Sequence, residues 1–436
     1  MSQTTNHPPG PTPTLEPTPT EPKHVSIAEQ TIIGVAPTGD QSGDTAIRPF
    51  SFHASETELA DLQRRIEATR WPTRELVDDD TQGVRLATMQ KLADYWLNHH
   101  DWRKVEARIN SLPNFITNID GLDIHFIHVK SKHANALPVI ITHGWPGSII
   151  EQLKVIEPLT DPTQFGGTAE DAFDVVIPSL PGYGFSEQPT ATGWDVPRIA
   201  KAWGELMSRL GYTRYVAQGG DWGNSISEVM ALQRPAGLLA IHTNMAATLP
   251  EAVRNSLPAG PPPVGLSDDE QRAFAQLVEF YVHGLGYAIE MQQRPQTLYG
   301  QEDSPIGLAA WILDHDIQSY QLIARVFDGA DEGLTRDDIL DNITLYWLTR
   351  TAISSARLYW ENRGGKGGFF DPRGVPLPTG VSGFRYEIYQ APESWARTAY
   401  PHLVFYRAHD KGTHFAAWEQ PELLAQDLRE TFRSVR

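Results

Sequence analysis

Gly219-Gly220-Asp221-Trp222-Gly223 decides how this chain is read. The five residues follow the apolar run Tyr215-Val216-Ala217 and precede a stretch, Ser225 to Arg234, that reads as helix. Strand, sharp turn and helix in that order make a nucleophile elbow, which presents one side chain at the end of a strand. Glycines suit such a turn because its backbone is strained and crowds the helix start. Elbows of the Gly-x-Ser-x-Gly kind carry serine at the centre; this one carries Asp221. An aspartate beside a helix start can be a plain N-cap, but glycine at 219, 220 and 223 favours the elbow. A carboxylate displaces a leaving group at carbon and turns over an ordinary ester poorly. Asp221 therefore points away from lipase and protease chemistry, towards opening a small ring or removing a halide.

Composition narrows the partners. The 436 residues carry a formal charge of −18, so neither a nucleic acid, which needs a basic face, nor an anionic membrane surface is expected as partner. Cysteine is absent from the chain, which excludes disulfides and thiolate catalysis. No apolar run reaches the roughly 20 residues of a membrane helix, and the N-terminus has no signal-like pattern. A soluble, cytoplasmic protein without cofactor or metal is expected. Residues 1–46, with Pro8-Pro9-Gly10-Pro11-Thr12-Pro13, read as a disordered Pro/Thr-rich tail.

Order is expected from Ile47. Ser55 and Glu58 form a capping-box pattern ahead of Leu59, Leu62 and Ile66 at helical spacing. Helical patterns at Leu86–Leu97 and from Asp101 follow, then an Ile119-Asp120-Gly121-Leu122 turn and the alternating strand Ile124–Val129. Strands at Val139–Thr142, Phe173–Pro178, Tyr215–Ala217 and Leu238–His242 then alternate with helices, including Val196–Leu210. That rhythm predicts an α/β-hydrolase fold: a mostly parallel sheet with helices on both faces and a site at the carboxyl ends of its strands. It breaks over residues 250–372, where Asp268–Tyr281, Pro305–His315 and Thr344–Tyr359 read as helices of a cap. Strands resume at Val375–Phe384 and His402–Tyr406, and Pro421–Phe432 is a closing helix. The expected division is 47–130 as an N-terminal wrapping domain, 131–249 and 373–436 as the two parts of the core, and 250–372 as the cap.

Further residues gather around Asp221. His143-Gly144-Trp145-Pro146-Gly147 follows a strand, where the second half of an oxyanion hole arises. The Trp145 and Trp222 amides are its expected donors, and His143 is read as a core histidine that fixes the loop. His414, in Gly412-Thr413-His414-Phe415 after the last strand, is the expected general base; His402 and His409 are its neighbours. Of Asp371, Glu387, Glu393 and Asp410, Glu387 lies just beyond the preceding strand and is the choice for the orienting acid.

Together these segments resemble the microsomal type of epoxide hydrolase. The resemblance rests on His143–Gly147, Pro181-Gly182-Tyr183-Gly184-Phe185-Ser186, Gly219–Gly223, Thr413–Ala417 and Glu419-Gln420-Pro421-Glu422 in order. The stretch from Phe50 to Val129, with Thr69-Arg70-Trp71-Pro72 and Asp101-Trp102-Arg103, is similar to that family's N-terminal domain. About residues 47–436 are covered. The resemblance implies Asp221 as the alkylated nucleophile, His414 as the base and Glu387 as the charge-relay acid. It further implies two cap tyrosines as proton donors to the epoxide oxygen, at Tyr287 and Tyr359, with Tyr281 and Tyr346 as rivals. The substrate implied is a small-molecule epoxide, and a homodimer is open because the family includes dimers. Haloalkane dehalogenation is the competing chemistry, since it uses the same Asp elbow. Two departures, Thr413 in place of a second glycine and Arg385 in place of a proline, touch loop geometry and not the reacting groups.

Overall fold

The computed structural model describes residues 45–246, 248–364, 369–370 and 374–436. The expectations for residues 1–44 and for Asp371 fall outside them. A nine-stranded sheet runs in the order β1-β2-β3-β5-β4-β6-β7-β8-β9. Its strands are β1 Arg48–Pro49, β2 Asn114–Ile119, β3 Leu122–Val129, β4 Leu137–Thr142, β5 Phe173–Pro178, β6 Tyr215–Gly219, β7 Leu238–Thr243, β8 Thr379–Gly383 and β9 Leu403–Ala408. The pairs from β1 to β5 are antiparallel, and those from β5 through β4 to β9 are parallel. Every residue of β4 and β6 is buried, as expected for strands covered on both faces.

After β4 the chain crosses to β5 on one side, and after β6 it crosses to β7 on the other. The sheet's switch point therefore lies between β4 and β6, the place where such sheets bind ligands. The loop His143–Gly147 leaves one of these strands and Asp221 the other.

The β2–β3 hairpin closes at Asp120 (φ 54°) and Gly121 (φ 83°), the left-handed pair that an Asp-Gly turn favours. The turn was read from sequence but its incoming strand was not. β2 buries Asn114 and Thr117 among its apolar residues, so no polar–apolar alternation marks it. Asn114 is satisfied instead through its Nδ2, which donates to the Ile109 carbonyl at 2.7 Å.

The helices begin where chemistry provides a cap. The Ser55 Oγ accepts from the Glu58 amide at 3.2 Å while Glu58 accepts from the Ser55 amide at 2.8 Å. Asp195 accepts from the Arg198 amide at 3.1 Å at the head of Val196–Arg209. That helix packs on Trp222–Gln233, while Pro421–Phe432 packs with Ile156–Thr160 and β8.

Between β7 and β8 the described chain is helical, from Glu251–Ser256 to Ala352–Glu361. The single helix expected over Thr344–Tyr359 is two helices, Arg336–Thr349 and Ala352–Glu361. Arg350 turns left-handed at φ 53°, and its amide bonds back into the last turn. The apolar pattern runs across this break without glycine or proline, so the sequence pattern does not show it. Helix Asp268–Glu279 passes into a wider π turn at Phe280–Gly284. The strand expected at Val375–Phe384 is shorter, Thr379–Gly383.

The N-terminal helices Glu56–Glu67 and Leu86–Asn98 pack on this helical segment. Arg65 Nη1 donates to Asp303 Oδ1 at 2.7 Å, the Arg85 amide donates to the Tyr320 hydroxyl at 2.9 Å, and His100 Nε2 meets Asp341 at 2.8 Å. No helix among the described residues is long and apolar enough to cross a membrane.

Candidate active site

Asp221 takes φ 50° and ψ −129°, a strained conformation for a residue with a side chain. The strain is held by close backbone approach. A Cβ on Gly219 would sit 2.1 Å from the Gly223 backbone, and one on Gly223 would sit 1.9 Å from the Thr142 carbonyl. The glycines of the elbow are thus where β4, β6 and the following helix touch.

The Trp145 amide donates to Asp221 Oδ1 at 2.8 Å. The Trp222 amide is in the first turn of its helix, where backbone donors lack intrahelical partners, and it makes no bond to this carboxylate. His143 is placed as the sequence suggests. Its Nδ1 donates to the Gly144 carbonyl at 2.9 Å, and its Nε2 accepts from the Leu180 amide at 3.2 Å. Burial keeps this ring neutral, with a pKa lowered to about 4. Tyr346, a rival for a role on substrate, donates its hydroxyl proton to the Gly147 carbonyl at 2.8 Å and so braces the same loop.

His414 stands on the other side of Asp221. Its Nε2 is 3.8 Å from Asp221 Oδ2, and its Nδ1 donates to Glu387 Oε1 at 2.6 Å. Glu387 Oε1 also accepts from the Ile388 amide at 2.8 Å. All three side chains are buried. Burial disfavours the imidazolium, but the charges of Glu387, Asp221 and Asp316 outweigh it and push the His414 pKa up to about 10. The loop carrying His414 is joined to the one carrying Glu387, since the Tyr386 amide donates to the Gly412 carbonyl at 2.9 Å. Thr413, where a second glycine was the family pattern, ties the loop to the Glu419 carboxylate through its amide and hydroxyl. Two of the other candidates are engaged elsewhere. His409 Nε2 meets Asp427 at 2.6 Å, and Glu393 pairs with Arg397.

Tyr287 and Tyr359 approach Asp221 from the helical segment. Tyr287 stacks on Trp145, with centroids 4.9 Å apart and planes at 15°. Tyr359 meets Trp222 edge to face at 4.8 Å and Tyr287 at 6.1 Å. Burial first, then neighbouring negative charge including that of Asp221, raises both phenols well above their ordinary pKa. Both therefore hold their protons at neutral pH. The remaining rival, Tyr281, lies against Phe370 instead.

One further group carries almost no signal in the sequence. His315 follows helix Pro305–Leu313 and lies against His414, with ring centroids 4.4 Å apart and planes tilted by 40°. Its only sequence signal is a histidine between two acids, Asp314-His315-Asp316, which is ordinary surface composition. A cavity of about 1070 Å³ reaches Tyr287, His315 and Glu387 and is bordered by the loop 79–83 and the π turn.

Residues 47–152 match the family model described as epoxide hydrolase N terminus, and residues 138–313 match that of the alpha/beta hydrolase fold. A chain of Stigmatella aurantiaca, provisionally named an epoxide hydrolase, is 51% identical over 89% of this chain and 86% of its own. Epoxide hydrolase 1 of Oryctolagus cuniculus is 38% identical over 88% of each chain. The chain belongs to the epoxide hydrolase family. Solved members of that family share its fold. Juvenile hormone epoxide hydrolase of Bombyx mori aligns with a TM-score of 0.78 at 30% identity, covering 91% of this chain and 96% of that one. The Aspergillus niger epoxide hydrolase aligns with a TM-score of 0.76 at 31% identity, covering 91% and 98%. Family membership accounts for both the α/β-hydrolase fold and the N-terminal segment packed on the helical one.

Proposed function

We propose that this chain converts an epoxide and water to a vicinal diol through a covalent ester on Asp221. The observation that carries the reading is the line Asp221–His414–Glu387 beneath two protonated phenols. Asp221 attacks an epoxide carbon, and the C–O bond breaks with its electron pair going to oxygen. That oxygen becomes a strong base and takes a proton from Tyr287 or Tyr359, the second phenol remaining as hydrogen-bond donor. Residues 250–372 act as the cap that brings these phenols to the core.

In the second step water attacks the ester carbon of Asp221. The Asp221 charge is among the causes that hold His414 protonated at rest. Esterification removes that charge, so the imidazole gives up its proton, which restores the phenol that protonated the epoxide oxygen, and becomes a base at the step that needs one. Glu387 steadies the imidazolium formed when His414 takes the water proton. The Trp145 amide, with the Trp222 amide as second donor, stabilises the oxyanion on the ester carbon. Collapse releases the diol, which takes the proton from His414, and leaves Asp221 as a carboxylic acid with one water-derived oxygen; that acid proton then passes to His414 and restores the resting pair.

A haloalkane dehalogenase would share the nucleophile, but a departing halide needs no proton, and the paired phenols favour the epoxide. A single turnover in heavy-oxygen water tests the route. The first diol should carry oxygen from Asp221, and label entering that diol directly would exclude the ester.

A further inference from the structure

His315 is buried to 1% exposure, yet its Nε2 has no hydrogen-bond partner among the described residues. Buried polar atoms are rarely left so. Its Nδ1 is engaged, donating to Asp316 Oδ2 at 2.9 Å, while Asp316 Oδ1 accepts from the Ser319 amide at 2.8 Å. A carboxylate on Nδ1 fixes the tautomer and leaves Nε2 with a lone pair. His414 is built the same way, with Glu387 on its Nδ1. The chain therefore presents two imidazoles, each backed by its own carboxylate, at one nucleophile. A carboxylate oxygen of Asp221 and one ring nitrogen from each histidine lie within 4.8 Å of one another.

A limit of 4.8 Å on these separations is compatible with a single water held between them. Two hydrogen bonds of about 2.8 Å that meet near the tetrahedral angle span about 4.6 Å. A water that donates both protons to the two ring nitrogens turns its lone pairs away from them, towards Asp221. We propose that His315 is the second acceptor for the hydrolytic water and so a catalytic residue of ester hydrolysis, a proposal that rests on the covalent route above. Water gives one proton to His414 as its oxygen bonds to the ester carbon; the other proton stays hydrogen-bonded to His315 and remains on the new carboxyl oxygen through collapse, until His414, having protonated the diol, takes it. His315 holds the water in line without a net proton change of its own.

The two half-reactions separate this role from a structural one. Styrene oxide would be mixed with the unmodified enzyme and with H315F and H315Q, and the ester on Asp221 followed by rapid quench and peptide mass. H315F keeps a flat ring of similar size and removes the acceptor; H315Q places an amide near the Nε2 position. Alkylation should stay within about threefold in both. Ester decay should slow by about 100-fold in H315F, the scale of a mispositioned reactant, with the ester accumulating, and H315Q should recover about tenfold of that loss. Unchanged decay in H315F, or equal losses in both steps, would overturn the proposal. If H315F does not fold, H315N is read by the same two rates and the same criteria. Absence of any ester in the unmodified enzyme would overturn the covalent route and this inference with it, whereas an ester that forms and decays normally in H315F overturns this inference alone.

Discussion

Under the proposed mechanism, Tyr287 and Tyr359 distinguish an epoxide from a halide at the level of single atoms. Each is buried against a tryptophan that adjoins Asp221. Losing one hydroxyl leaves a second donor in place. Either single change to Phe should therefore cost less than Y287F/Y359F together, which should lower kcat/KM for diol release by about 10²- to 10⁴-fold. Near-full activity of the double variant would remove the phenols from the mechanism. His414 carries a second, pH-dependent signature. Its pKa is about 10 in the folded protein, against about 6.5 unfolded. Raised in the native state, it contributes stability that is full below pH 6.5 and is lost as pH rises towards 10. H414F should therefore flatten the alkaline fall of Tm between those limits, and an unchanged slope would place the proton elsewhere. Asp221 and His414 were legible in sequence because a glycine-framed turn and a loop after the last strand mark them. His315 was not, because only the packing of the helical segment on the sheet brings it against His414.

Among elements, the elbow is the point of least tolerance. Gly223 sits where a Cβ would meet the Thr142 carbonyl at 1.9 Å, backbone against backbone, so no side chain can yield. G223A should cost more than about 3 kcal/mol of unfolding free energy. Gly211 is a control of opposite character, with φ +80° and nothing within 4 Å of its would-be Cβ. G211A should cost only about 1 kcal/mol, the left-handed penalty, and leave kcat unchanged. Urea titration of both variants checks the contrast; similar costs would mean the elbow relaxes. The strand–turn–helix grammar here was readable because each piece carries its own signal, apolar run, glycine or cap. The break at Arg350 was not, since an arginine in a left-handed turn leaves no trace in an apolar pattern.

At the scale of the molecule, the N-terminal segment joins the helical segment to the sheet, and Glu106 organises it. This buried carboxylate accepts from the Ala54 amide at 2.7 Å, from Arg103 Nη1 at 2.8 Å, from His53 Nδ1 at 2.9 Å and from Trp102 Nε1 at 3.1 Å. Ala54 precedes the first helix and Trp102 opens the third, so one side chain joins both ends of the segment. Burial opposes its charge, but these donors win and hold its pKa below the ordinary 4.5. A depressed carboxyl contributes stability that is present above the unfolded pKa and lost as pH falls through the folded one. E106Q keeps the shape, loses the charge and must turn an amide donor towards Arg103. It should therefore cost about 2 to 3 kcal/mol at pH 7, the range of hydrogen bonds to a charged group. The gap from the unmodified protein should then narrow as pH drops below 4.5, because the unfolded carboxyl takes up a proton there before the native one does. Urea unfolding at pH 7 and pH 4 measures both. A gap independent of pH would mean that packing, not the carboxylate, joins the segment to the rest. The same variant should also raise KM or slow alkylation if the segment positions the phenols through the helices it packs on, whereas unaltered kinetics at lowered stability would confine its role to folding.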